Sequence, residues 1–305
     1  MLSKQSEALR DYYRTNNRLA AMTPPQPLAE MRDRNEHWGD LTAEPGGVDY
    51  LETDAGGVPA IWAVPKGCAE DRVLLCLHGG GFVGGSMYTH RKLFGHLAKA
   101  TGARALIPHY RRTPEHRHPA PLHDATAAYE WLLGQGISAE HIAVTGDSAG
   151  GGLTITTMLH ARERGMPTAA ALMPFSPWVD LELTGESMSS NRATDLLFGG
   201  ARPMDIDGLV RMFLGETGNR RDPLVSPLHA DLTGLPPMYI QVGGEEMLLD
   251  DGRRLAEHAR KAGVTVRLDI FPDQQHTFQM SAGRAPEADE AIRRLAEWVR
   301  PELGL

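Results

Sequence analysis

The chain has 305 residues, 41% of them hydrophobic and 23% charged, an ordinary composition for a globular protein with one large domain or two smaller ones. Its formal net charge of −8 argues against a nucleic-acid or anionic-membrane partner. No apolar run reaches the roughly 18 residues of a membrane span, and the opening Met1-Leu2-Ser3-Lys4-Gln5-Ser6-Glu7 lacks a signal-peptide core, so a cytoplasmic protein is expected.

Residues 1 to about 20 read as a helix that Thr23-Pro24-Pro25-Gln26-Pro27 breaks, and a second helical stretch runs to about Asp33. Two strand-like segments follow at 48–52 and 58–64, separated by the turn Asp54-Ala55-Gly56-Gly57. Cys68 and Cys76 need no disulfide in a domain of this size, and Cys76 lies inside the apolar run 73–77 as a small buried hydrophobe. From there, short apolar runs at 73–77, 104–108, 141–145, 169–175, 238–242 and 266–271 alternate with helical stretches at 91–100, 123–133, 151–164, 251–262 and 288–299. Strands apolar throughout and separated by helices predict a mostly parallel, doubly wound sheet covered on both faces. Residues from about 181 to 223 interrupt the alternation and read as an irregular helical insertion, placed with the N-terminal helices to cover a pocket.

Three segments carry chemistry. Thr145-Gly146-Asp147-Ser148-Ala149-Gly150-Gly151 has the Gly-x-Ser-x-Gly pattern between a predicted strand and a predicted helix. A nucleophile on so sharp a turn needs tiny neighbours, and the following helix favours negative charge at its start. His78-Gly79-Gly80-Gly81-Phe82, directly after the strand 73–77, exposes backbone N–H groups of the kind that build an oxyanion hole. No Gly-Lys-Ser/Thr follows, so a phosphate loop is excluded. Among 13 histidines, His276 stands out in the loop after the last predicted strand, where it can take a proton from Ser148 as general base. The acid that orients it lies in Gly243-Gly244-Glu245-Glu246, and residue chemistry alone leaves Glu245 and Glu246 open. Asp250 and Asp251 suit the opening of the next helix.

With these motifs in view, the chain resembles the hormone-sensitive-lipase-like esterases of bacteria, whose His-Gly-Gly-Gly and Gly-Asp-Ser-Ala-Gly signatures match 78–81 and 146–150. His109-Tyr110-Arg111-Arg112-Thr113-Pro114-Glu115-His116, with Pro119-Ala120-Pro121 and Asp124, is similar to a further family segment. So are Ser176-Pro177-Trp178-Val179-Asp180-Leu181 and Asp222-Pro223-Leu224-Val225-Ser226-Pro227. The resemblance covers roughly residues 45 to 300 and implies an α/β-hydrolase fold with a helical cap, no cofactor and short-chain ester substrates. It assigns the oxyanion hole to the N–H groups of Gly80, Gly81 and Ala149. The family's acid precedes a leucine by two residues and a helix-opening aspartate by four, which selects Glu246 through Leu248 and Asp250. The family usually has aspartate there; glutamate is an accepted variant. His109 and Arg112 are also departures, in a structural segment.

On this reading residues 1–40 and 181–223 form the cap, and 41–180 with 224–305 form the hydrolase core. His116-Arg117-His118 with His109 lacks metal-ligand spacing, so no metal is expected. Asp147 is read as structural, and Trp178, Phe82, Phe198 and Phe213 as pocket wall or plain core. Tyr88-Thr89-His90-Arg91 resembles monoterpene-lactone hydrolases, so lactone hydrolysis and deacetylation of a small metabolite stand as alternatives to simple ester cleavage. A receptor on the same fold would have lost the histidine that His276 retains. An exposed edge strand near the C-terminal end of the sheet could pair two copies.

Overall fold

The alternating apolar segments assemble into a single eight-stranded sheet in the computed structural model, which describes residues 2–22, 27–199 and 203–305. Helices α1 (Ser6–Met22) and α2 (Leu28–Glu36) precede strands β1 (Val48–Asp54), β2 (Pro59–Pro65) and β3 (Val73–Leu77). Then come α3 (Met87–Thr101), β4 (Arg104–Pro108), α4 (Ala120–Gly134), β5 (Ile142–Asp147), α5 (Ala149–Glu163) and β6 (Ala171–Phe175). The short α6 (Ser187–Ser190) and α7 (Ile206–Leu214) lie in the insertion, before β7 (Met238–Gly243), α8 (Leu249–Lys261), β8 (Val266–Phe271) and α9 (Pro286–Glu302). This is the α/β-hydrolase architecture that the resemblance implied. Pro27 stands immediately before α2; the other residues of the expected break, 23–26, lie outside the described ones.

The strand order is β1-β2-β4-β3-β5-β6-β7-β8, antiparallel where β2 meets β1 and β4, and parallel elsewhere. The inner parallel strands β3, β5, β6 and β7 are buried on both faces, and their side chains alternate between two cores, as a period of two requires. Val73, Leu75 and Leu77 of β3 join Ile142 and Val144 of β5 against α4, α5 and α8, whereas Leu74, Cys76 and Ala143 pack with α3 and α9. Cys76 is thus a core residue whose thiol burial pushes well up, away from thiolate chemistry.

The five helices of the alternation each begin two to four residues earlier than the sequence pattern indicates. Helix α3 starts at Met87 because Ser86 caps it, accepting from the N–H groups of Tyr88 and Thr89 while Thr89 Oγ1 accepts from Ser86 N–H. Helix α5 runs through Gly150, Gly151 and Gly152 despite their poor helix propensity. Close packing overrides propensity there: a Cβ on Gly150 would run into the carbonyl oxygens of Leu77 and His78 at the end of β3. Strand β8 is the open edge expected near the C-terminus, with Ile270 exposed. No helix among the described residues is long and apolar enough to cross a membrane.

Gly150→Ala should therefore destabilise by about 3 kcal/mol or more, the upper range for overpacking, lowering Tm by roughly 5 °C in a chain this long. Gly134→Ala, at an exposed helix end where an added Cβ meets nothing within 4 Å, should leave Tm level or raise it slightly. Thermal unfolding of both variants checks the pair; an undisturbed Gly150→Ala protein contradicts the packing argument.

Candidate active site

Parallel pairing of β3 with β5 sets Leu77 opposite Gly146, so the loops that leave the two strands emerge side by side. Between β5 and α5, Ser148 adopts φ 53° and ψ −120°, a conformation that costs a non-glycine residue about 1–3 kcal/mol. Neighbouring backbone holds it there: Ser148 N–H donates to Phe175 O at 3.1 Å, and Ser148 O accepts from Trp178 N–H at 2.9 Å and Gly152 N–H at 3.1 Å. The strain turns the hydroxyl-bearing residue out of the sheet and into the wall of a cavity.

The glycine loop is bent as its composition demands, with φ 118° at Gly80 and 63° at Gly81. Gly80 O accepts from the N–H groups of Val83 (3.1 Å) and Gly84 (2.8 Å), which closes a tight turn. Asp147 acts as a strut, accepting from Gly79 N–H at 2.8 Å and facing His90 Nε2 at 3.3 Å. The Tyr110 hydroxyl donates to His78 O at 2.5 Å, and the two rings stack at 4.1 Å. Burial, reinforced by His90, holds the His78 imidazole well below its usual pKa, so it is a neutral packing group. The N–H groups of Gly80, Gly81 and Ala149 have no acceptor among the described residues. Gly80 and Gly81 border the cavity; Ala149 is buried beside Ser148 and is not part of the lining.

Strands β7 and β8 deliver the remaining pair. His276 Nδ1 and Glu246 Oε2 lie 2.7 Å apart, with relative side-chain exposures of 1% and 0%. An ionised carboxylate only accepts, so Nδ1 carries the proton and Nε2 is the nitrogen left free. That Nε2 has no hydrogen-bond partner among the described residues, and His276 borders the same cavity as Ser148. Glu246 Oε1 accepts from Gly243 N–H at 3.1 Å. Glu245, the other candidate, turns away: it pairs with Arg10 of α1 at 2.7 Å and accepts from Gln275 Nε2 at 2.5 Å.

Sequence reasoning missed the groups that brace this pair. Tyr13 of α1 donates its hydroxyl to His276 O at 3.1 Å; burial pushes that phenol well up, so it stays protonated. Asp195 accepts from the N–H groups of Leu197 and Phe198 at 2.8 Å each, and of Met247 at 2.7 Å. It thereby seats the Phe198 ring 4.8 Å from the imidazole of His276 and fixes the residue after Glu246. Burial raises the Asp195 carboxyl, opposed by nearby His276. An aspartate two and three residues before the N–H groups it holds is a turn signal readable in Asp195-Leu196-Leu197-Phe198.

The cavity measures about 880 Å³ counting its open mouth. Trp178 and Phe198 line it; Phe82 and Phe213 do not. Phe82 instead stacks on Phe213 of α7 at 3.9 Å, because its positive φ turns the ring toward that helix. Tyr88-Thr89-His90-Arg91 is also absent from the lining, with Tyr88 exposed and bonded to Glu52. Arg112 supports the glycine loop from behind by donating to Gly85 O at 2.6 Å. His109 is brought down to about pKa 4 by burial and by Arg112. His118 packs edge-on against Phe213, and no group of three or more metal-binding side chains occurs among the described residues.

Comparison with known proteins gives a consistent picture. Residues 74–280 match the family of the α/β hydrolase fold. An acetyl-hydrolase of Streptomyces hygroscopicus is 39% identical over 269 residues, which is 88% of this chain and 87% of that protein. An esterase of Acinetobacter venetianus is 35% identical over 231 residues, 75% of this chain and 74% of its own. The crystal structure of an esterase from the bacterial hormone-sensitive lipase family superposes with a TM-score of 0.93 at 39% identity, covering 100% of both chains.

The two glutamates separate by experiment. Glu246→Gln presents an amide N–H to Nδ1 and favours the wrong tautomer, so turnover of p-nitrophenyl acetate should fall by about 10³–10⁴. Glu245→Gln loses only the tie to Arg10 and should cost less than about ten-fold, the scale of a partly exposed ion pair. The reverse ranking contradicts the assignment.

Proposed function

We propose that this chain, which belongs to the bacterial hormone-sensitive-lipase-like family of α/β hydrolases and is a carboxylic ester hydrolase, cleaves short-chain acyl esters through an acyl-enzyme on Ser148. The observation that carries the reading is the buried bond between Glu246 and His276 Nδ1, which leaves Nε2 without a partner among the described residues on a histidine that borders the cavity Ser148 lines.

In the first half-reaction His276 Nε2 takes the Ser148 proton as Oγ attacks the ester carbonyl. Negative charge on the former carbonyl oxygen falls to the free N–H groups of Gly80, Gly81 and Ala149, at the start of α5. Glu246 stays ionised and stabilises the imidazolium, which then protonates the departing alcohol. Water enters, His276 removes its proton, and a second tetrahedral species collapses to the acid and free Ser148. Residues 1–40 and 181–223 serve as the cap, since Tyr12, Tyr13, Met31, Leu197, Ile206 and Leu209 complete the wall around the cavity. The acetyl-hydrolase name of one relative supports a small acyl group. The segment that suggested the lactone alternative is not among the residues lining the cavity, so the cavity wall adds nothing to that reading.

Hydrolysis of p-nitrophenyl esters from acetate to dodecanoate should be fastest at the short end. Ser148→Ala should keep the fold, by circular dichroism, and lose about 10⁶-fold in kcat. Turnover unaffected in that variant, or rising toward dodecanoate, contradicts the proposal.

A further inference from the structure

The cavity wall is mostly apolar, and it contains no Asp, Glu, Lys or Arg among the described residues. Two amides interrupt that background; Asn16, on α1, bonds the Tyr12 side chain, which leaves the amide of Asn35, on α2. The residues on either side of it are committed to the glycine loop. Arg32, one turn earlier, donates to Val83 O at 2.8 Å and to Thr113 O at 2.9 Å, and it grips Glu115 with both terminal nitrogens. Glu36 accepts from Ser86 Oγ at 2.7 Å. These ties fix α2 over the loop and leave Asn35 pressed on Gly84, with Nδ2 only 2.5 Å from where a Cβ on that glycine would stand. Gly84 N–H closes the turn on Gly80 O, so the amide sits on the same loop that carries the proposed oxyanion donors. Yet the Asn35 side chain has no hydrogen-bond partner among the described residues, and it lines the cavity that Ser148 and His276 border.

We propose that Asn35 determines specificity by hydrogen-bonding a hydroxyl on the alcohol half of the ester, so that the preferred substrates are short-chain esters of neutral, hydroxylated alcohols. This rests on the short-acyl reading above: an acetyl or butyryl group is too short and apolar to carry the partner, which leaves the alcohol. A primary amide both donates and accepts, as a hydroxyl does, and the two satisfy each other. A simple alkyl alcohol would cover the amide and leave it unpaired, which is how a site built around a polar contact rejects the analogue that lacks it. The absence of charged side chains in the described wall disfavours phosphorylated or carboxylated alcohols.

The test compares glycerol 1-monoacetate with 2-methylbutyl acetate, which replaces both free hydroxyls by methyl groups of similar size. In Asn35→Leu the ratio of kcat/KM for the glycerol ester to that for the alkyl ester should fall about ten-fold, through a higher KM for the glycerol ester. Asn35→Ala, which adds no bulk, should move the ratio in the same direction. A ratio unchanged in both variants overturns the subsite while leaving ester hydrolysis intact. A wild-type protein inactive on both esters overturns the short-ester reading and the subsite with it.

Discussion

A carboxylate and an imidazole, both withdrawn from water, share one short hydrogen bond in this protein, and much of the chain serves to keep them together. Burying such a pair is costly unless every remaining polar position is satisfied, and removing one partner leaves an uncompensated group behind. The surroundings of Glu246 and His276 answer that requirement. Glu246 has a backbone donor from Gly243, and the carbonyl of His276 has the Tyr13 hydroxyl. Thr277 N–H, next in sequence, donates to Ser176 Oγ at 3.0 Å. Of the pair's side-chain atoms, Nε2 alone has no hydrogen-bond partner among the described residues, and it is the atom that a serine nucleophile would need.

The same bonds make the helical cover and the site one unit. Asn191 donates to the carbonyls of Gly244 and Glu246, and Gln275 joins Thr194 O and Leu196 N–H to Glu245. Arg10 and Tyr13 tie α1 to the acid turn and the histidine loop. The segment around 191–199 therefore shapes the cavity through Phe198 and also holds the loops on which the proposed chemistry depends. A change in this 191–199 segment that alters substrate choice should accordingly be read in kcat as well as KM.

The fold and the proposed reacting groups were legible because each rests on a local rule. Apolar strands of five or six residues mark buried parallel sheet, and Ser148 and the glycine loop occupy turns that few other residues can make. His276 and Glu246 sit just past strand ends, where an α/β sheet gathers its site. What stayed hidden depends on contacts between distant segments. Nothing in Arg10, Tyr13 or Arg32 announces which loops of the core they hold, since their partners lie tens to hundreds of residues away. Glu245 and Glu246 are chemically alike, and only the geometry of the turn sends one inward and the other to Arg10. Phe82 and Phe213 could be read as pocket wall or plain core, because an aromatic side chain carries no sign in the sequence of the direction the backbone will give it.

The central claim is that Ser148 becomes the covalent nucleophile and that the Glu246–His276 pair drives it. The most direct measurement is the rate and site of labelling by a fluorophosphonate, followed by intact mass and peptide mapping in wild type and Glu246→Gln. The account predicts a single adduct on Ser148, formed about 10³-fold more slowly in the variant. An adduct on another residue, or equal rates in the two proteins, would contradict it.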